Sequence, residues 1–147
     1  MKNMRMSKSI IMIICVAFAM MLITGCSSKS TDTAKKEIPN LIGEWKQSNS
    51  DSEDSYQAAT ITADTIEIFW VSDNGDTKSL YWAGTFTAPT SSDEPYTWDS
   101  VNDRSKTDMA LLASSDDTKT MKYEKGIISY ETSALGTTTT IKLEKQK

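Results

Sequence analysis

The sequence predicts an all-β fold, a small antiparallel meander β-barrel of about eight strands that follows a cleaved N-terminal segment. Three observations predict it. Apolar side chains recur at every second position along most of the chain after Ile38, turn-forming pairs such as Asn74-Gly75 separate these stretches, and the first 25 residues combine positive charge with an apolar run. A two-sheet sandwich would use the same strands. We favour the barrel because nearly every connection is hairpin-short and closure protects edge strands.

The N-terminal segment has the pattern of a secretory signal peptide. Met1–Ser9 carries three positive charges and no negative one, and Ile10–Ile23 is an unbroken apolar run of fourteen residues. A membrane-spanning helix needs about twenty apolar residues, so the run is short for a permanent span. A signal peptide over residues 1–25 is therefore predicted, with a retained signal anchor as the alternative.

The apolar run ends in Ile23-Thr24-Gly25-Cys26. This tetrapeptide resembles the lipobox of bacterial lipoproteins, in which an aliphatic residue and two small or β-branched residues precede a cysteine. The resemblance implies that signal peptidase recognises Ile23, Thr24 and Gly25, cleaves before Cys26, and leaves a diacylglyceryl group on the Cys26 sulfur. Two acyl chains anchor a protein stably, which would place it on the extracytoplasmic face of the bacterial cell membrane. The alternative is a buried cysteine at the end of an anchor helix.

Residues 26–37 are predicted to form the lipidated Cys26 and a flexible tether. Ser27–Glu37 reads SSKSTDTAKKE and contains no aromatic or large aliphatic residue. So polar a segment buries too little surface to offset its ordering entropy. The β-barrel domain is accordingly assigned to residues 38–147.

The first half of this domain shows the two-residue period most clearly. The predicted strands are Leu41–Ser48, Tyr56–Thr62, Thr65–Ser72 and Thr77–Thr87. The side chains expected on one face are Leu41, Gly43 and Trp45 in the first, Ile66, Ile68 and Trp70 in the third, and Leu80, Trp82, Gly84 and Phe86 in the fourth. Asn74-Gly75 is the favoured pair for a two-residue type I′ turn.

The second half repeats the pattern. Strands are predicted at Thr118–Glu124, Ile127–Ser133 and Thr137–Glu144, separated by turns at Lys125-Gly126 and Leu135-Gly136. Two further strands are predicted at Tyr96–Val101 and Met109–Ser114. The last of these also fits a short helix, because Met109, Leu112 and Ala113 follow helical spacing.

Gly43-Glu44-Trp45 on the first strand resembles the Gly-x-Trp that opens barrels of the lipocalin and streptavidin type. The resemblance implies a barrel whose first tryptophan packs across the closed end. It extends to no later motif, so no ligand chemistry is carried over. Trp45, Trp70 and Trp82 are the candidate ligand-binding or core aromatic residues, since buried rings serve both purposes.

Composition excludes several classes of function. Removal of three of the 16 basic residues with the signal peptide leaves 13 against 20 acidic residues, a net charge of −7, which argues against nucleic-acid binding. The chain has no histidine, the commonest general base and metal ligand. The acidic group Asp51, Glu53 and Asp54 lacks the pattern of a calcium loop and is expected to be solvated. We predict no enzyme activity, no metal and no cofactor.

These observations predict a lipid-anchored extracytoplasmic binding protein whose partner is a surface protein or a small apolar molecule. The whole chain also resembles small lipoproteins of Gram-positive bacteria and their prophages. That resemblance suggests one version of the function, superinfection exclusion, in which a surface lipoprotein blocks infection by related phages. The alternative is a structural or stress-related envelope lipoprotein with a packed core and no small-molecule ligand.

Overall fold

The computed structural model describes residues 36–134 and 136–147, so the predicted signal peptide and lipobox lie outside the described residues. Its strands are β1 (Gly43–Gln47), β2 (Tyr56–Ile61), β3 (Thr65–Ser72), β4 (Thr77–Thr85), β5 (Tyr96–Val101), β6 (Thr118–Glu124), β7 (Ile127–Ala134) and β8 (Thr137–Lys145), with a short α-helix, α1 (Arg104–Thr107), and a 3-10 turn at Asp73–Gly75. All adjacent strands are antiparallel. The predicted all-β meander of about eight strands is confirmed.

The eight strands form one sheet in the order β4-β3-β2-β1-β8-β7-β6-β5. Its two edge strands, β4 and β5, face each other through a single bridge between Gly84 and Asn102. Beside the bridge, the Asp103 amide donates to the Ala83 carbonyl at 2.8 Å. The sheet therefore nearly closes into a barrel, as predicted, and does not divide into a sandwich.

The end of the barrel at which β1 begins is filled by large side chains. Trp45 is 2 % exposed and donates its indole N–H to the Leu41 carbonyl at 2.9 Å, which satisfies its polar atom inside the core. Phe86 and Trp98 pack edge to face beside it in the same cluster. We call this the closed end. The described chain starts here, where Lys36 forms a 3.2 Å ion pair with Glu94.

A bulge in β4 changes the predicted face pattern. Ile68 pairs with Trp82 and Phe69 pairs with Leu80, so Tyr81 is the extra residue. Trp82, Gly84 and Phe86 are buried on one side as predicted, but Leu80 is shifted to the outer face beside Phe69. The bulge lets two successive aromatic residues, Tyr81 and Trp82, both contribute to the buried core.

The prediction for Met109–Ser114 is wrong in both of its forms, because the segment is neither strand nor helix. The helix lies earlier, at α1, where the Asp103 carboxylate accepts from the Ser105 amide and caps its first turn. The chain then reaches the free edge of β4 at Ser114, whose amide donates to the Tyr81 carbonyl at 2.8 Å. Within the described residues, no helix is long and apolar enough to span a membrane.

The β3–β4 and β6–β7 hairpins differ in the length of their turns. At Asn74-Gly75 the chain turns where predicted, but Ser72 pairs with Thr77, so the loop has four residues and is not a two-residue type I′ turn. The Asp73 carboxylate accepts from the Thr77 hydroxyl at 2.8 Å across this wider loop. A two-residue turn with positive φ at both positions occurs instead at Lys125-Gly126.

Candidate binding cleft at the open end of the barrel

The end of the barrel opposite the closed end contains a cleft of about 920 Å³. It continues past Trp70, Leu112 and Thr132 into a second hollow of about 630 Å³ between the β1–β2 loop and β8. Aromatic rings line its inner wall and hydroxyl groups line much of the rest. We call the two hollows together the open-end cleft. A cavity of this size is in the range that holds small ligands or peptide side chains.

One side of the cleft is a break in the barrel wall. β6 and β7 pair at Lys122–Ser129, Tyr123–Ile128 and Glu124–Ile127, next to their turn, and these are the three pairs between the two strands. The same register would continue to Thr118 and Ser133, but no further pairs form, although both strands continue. Residues from both unpaired stretches line the cleft. We call this opening the β6–β7 gap.

Lys119 reaches across the β6–β7 gap from inside the barrel. Its side chain is 6 % exposed, and its ammonium donates to the Asp116 carboxylate at 3.0 Å and to the Glu131 carbonyl at 3.3 Å. The ring centres of Tyr81 and Trp82 lie 5.4 and 5.3 Å from the same nitrogen. A buried ammonium requires such partners, because its desolvation is costly. Hydrogen bonds from the Ser114 hydroxyl and from Lys119 lower the pKa of the Asp116 carboxyl.

Two tyrosines form the inner wall of the cleft. The Tyr81 hydroxyl donates to the Thr132 hydroxyl at 2.9 Å, and the two tyrosine rings, Tyr81 and Tyr130, stack at 6.5 Å. The Tyr130 hydroxyl donates to the Gln57 side-chain oxygen. Gln57 is fully buried, and its side-chain nitrogen has no hydrogen-bond partner among the described residues. Buried polar groups are normally satisfied, so this amide is an exception within the described core.

The structure separates the three candidate tryptophans. Trp45 and Trp82 are buried core residues, and Trp82 donates to the Ser100 hydroxyl at 2.9 Å. Trp70 is 36 % exposed, lines both hollows of the cleft, and packs edge to face on Tyr81 at 5.4 Å. Of the three, only Trp70 is placed to contact a ligand.

An exposed apolar segment borders the cleft. The sequence pattern predicted this segment to be a strand or a short helix. Met109, Leu111 and Leu112 are 83, 97 and 54 % exposed, and Leu112 lines both hollows. Three large apolar side chains exposed within four residues are typical of an interaction surface. The apolar cluster was visible in the sequence, where its spacing fitted a short helix as well as a strand, but its exposure depends on the tertiary fold.

The acidic residues predicted to be solvated lie in the loop between β1 and β2. Asp51, Glu53 and Asp54 are exposed between β1 and β2, where serine hydroxyls accept from backbone amides of the loop. Across residues 36–134 and 136–147, no group of three acidic, histidine or cysteine side chains is arranged to hold a metal ion.

Replacing Tyr130 with phenylalanine is expected to reduce the loss of stability at high pH. Burial, with a smaller contribution from Tyr81, raises the Tyr130 pKa well above 10, so the folded state keeps this phenol protonated when the unfolded chain ionises. The stabilising contribution is full below pH 10 and declines as pH rises above it. Urea unfolding of both proteins between pH 8 and 11 measures this, and parallel pH profiles would contradict it.

Searches against protein-family models, curated protein sequences and solved structures each gave no match to this chain.

Proposed function

We propose that this chain is a lipid-anchored extracytoplasmic binding protein that uses the open-end cleft as its binding site. The observation that carries the proposal is the asymmetry of the barrel. One end is packed with aromatic residues, whereas the other has a cleft beside Trp70, a gap in the wall and an exposed apolar segment. A fully packed barrel would suit a structural role, and an open end suits recognition.

The anchor part of the proposal is based on Ile23-Thr24-Gly25-Cys26 and the apolar run before it. Cys26 precedes the first described residue by ten positions, and Lys36 lies at the closed end. A tether from a lipidated Cys26 is thus joined to the closed end of the barrel. The open-end cleft lies at the other end of the barrel.

The anchor is tested by replacing Cys26 with alanine in the full chain and following fractionation and incorporation of a labelled fatty acid. We expect the wild-type protein to take up label and sediment with membranes, and Cys26→Ala to do neither. Cys15→Ala is the matched control, because it removes the other cysteine and leaves the lipobox intact. Labelled, membrane-bound Cys26→Ala protein would contradict the anchor.

The cleft is tested by placing a photo-reactive amino acid at Leu112 in cells and examining crosslinked products. Ile42 is the matched control, because it is an aliphatic side chain of similar exposure, 47 % against 54 %, at the closed end. We expect a discrete crosslinked product from position 112 and none from position 42. Equal crosslinking at both positions would remove the cleft as the binding site and favour a structural envelope role.

A further inference from the structure

The backbone groups that face the β6–β7 gap follow from strand geometry. The Asp117 carbonyl accepts from the Asn102 amide, so residue 117 directs its backbone groups toward β5. Successive residues of a strand direct these groups to opposite sides. Thr118, Thr120, Lys122 and Glu124 therefore direct theirs toward β7, and Lys122 and Glu124 are indeed paired there.

The same alternation applies to β7. Ile127 and Ser129 pair with β6, so Glu131 and Ser133 also direct their amide and carbonyl groups toward it. The Glu131 carbonyl accepts a hydrogen bond from the Lys119 ammonium, which occupies the position a strand partner would take. Two facing strand edges therefore border the cleft. β6 contributes the backbone groups of Thr118 and Thr120, and β7 contributes those of Glu131 and Ser133.

We propose that the ligand of the open-end cleft is an extended polypeptide segment of a partner protein, which enters the β6–β7 gap and pairs with these edges as an added strand. This proposal rests on the proposed function of the cleft as a binding site. Exposed strand edges pair readily with an extended chain, and main-chain hydrogen bonds then supply much of the affinity.

The side chains around the gap favour a peptide over a small apolar molecule. The rings of Tyr81 and Tyr130 face the barrel interior, whereas hydroxyl and charged side chains of β6 and β7 face outward. An added strand alternates its side chains between the same two environments. A segment with apolar residues at every second position and polar residues between them would therefore fit the gap. Leu112 and Trp70 would contact its inward side chains.

The test is selection of eight-residue peptides with alternating apolar and polar positions from a phage-displayed library. The target is the full chain in detergent with Cys15→Ser and Cys26→Ser, so that engineered thiols are the only ones present. We expect enriched peptides whose synthetic forms bind the protein, and whose binding is lost when alternate peptide nitrogens are methylated. Methylation removes the donors of the added strand without changing the side chains.

Two disulfide variants locate the binding. Thr120→Cys with Glu131→Cys joins residues that would be opposite if the register continued, so oxidation closes the gap. Lys122→Cys with Ser129→Cys is the matched control, because these residues are already paired and the gap stays open. We expect oxidation to weaken peptide binding at least about tenfold in the first variant, reversibly on reduction, and to leave the second unchanged.

A second pair of variants keeps the test valid if the first disulfide does not form. Thr120→Pro removes the backbone donor that faces the gap, and Thr120→Val retains it, while both lose the hydrogen bond from the Thr120 hydroxyl to Asp99. We expect about a three- to tenfold weaker peptide affinity for proline than for valine.

Failure of the strand proposal is distinguishable from failure of the cleft. Absence of any enriched peptide, or peptides that bind the oxidised 120–131 variant and the Thr120→Pro variant as well as their controls, would overturn strand addition. If position 112 still gave a crosslinked product in cells, the cleft would remain a binding site for a ligand of another kind.

Discussion

Replacing Trp45 with alanine is expected to lower the free energy of unfolding by about 3–5 kcal/mol, enough to unfold much of the population of a domain this small. Trp45 is 2 % exposed, packs edge to face on Tyr123, and holds the Leu41 carbonyl through its indole N–H. Alanine would leave a large cavity at the closed end and an unsatisfied carbonyl. Urea denaturation followed by circular dichroism measures the loss.

The matched control is Trp70→Ala, since the two residues have the same side chain in different places. Trp70 is 36 % exposed at the cleft, so its removal is expected to cost about 1–2 kcal/mol. The same substitution should weaken binding at the open-end cleft, because Trp70 lines both hollows. Equal losses of stability for the two variants would contradict the assignment of one tryptophan to the core and the other to the cleft.

Gly84→Ala is expected to lower the free energy of unfolding by about 3 kcal/mol, although it adds only one methyl group. A Cβ at this position would lie 2.6 Å from the Val101 carbonyl oxygen and 2.7 Å from the Trp82 indole nitrogen, and would also collide with the Ser100 hydroxyl. Gly84 forms the bridge that joins β4 to β5, so relief of the clash requires separation of the two strands. Thermal and urea unfolding of the variant measure the effect.

Gly126→Ala separates steric conflict from backbone strain. Gly126 has a φ of +85° in the β6–β7 turn, and nothing lies within 4 Å of an added Cβ. Its substitution is expected to cost about 1 kcal/mol from the left-handed conformation alone. If Gly84→Ala were no more destabilising than Gly126→Ala, the close packing of β4 against β5 would be wrong.

The strands were predictable because the side chains of a half-buried strand alternate between apolar and polar, and this two-residue period is visible in the sequence. β3, β5 and β6 begin and end where the apolar alternation predicts, at Thr65–Ser72, Tyr96–Val101 and Thr118–Glu124. The burial of Ile128, Ile141 and Leu143 follows from the same pattern. The resemblance of Gly43-Glu44-Trp45 to a Gly-x-Trp motif implied that Trp45 packs at the closed end, and Trp45 is buried at that end.

The features that form the cleft were not predictable, because they depend on how strands meet. The bulge at Tyr81 breaks the alternation of faces along β4 and shifts its register with β3, although the sequence of β4 has the period of a regular strand. The β6–β7 gap is a missing pairing, whereas each strand by itself has the sequence of a fully paired one. Lys119 occupies an inward position that the pattern assigns to an apolar residue, and that departure was a local signal of the cleft.

Amide hydrogen exchange of the free, full chain, measured by NMR, tests the break in the barrel wall most directly. The Lys122 and Ser129 amides are paired across β6 and β7, whereas those of Thr120 and Glu131 face the gap. We predict that the Thr120 and Glu131 amides exchange at least about tenfold faster than those of Lys122 and Ser129. Equal protection of all four amides would mean that the two strands are paired along their length, and would contradict the open cleft and the functions proposed for it.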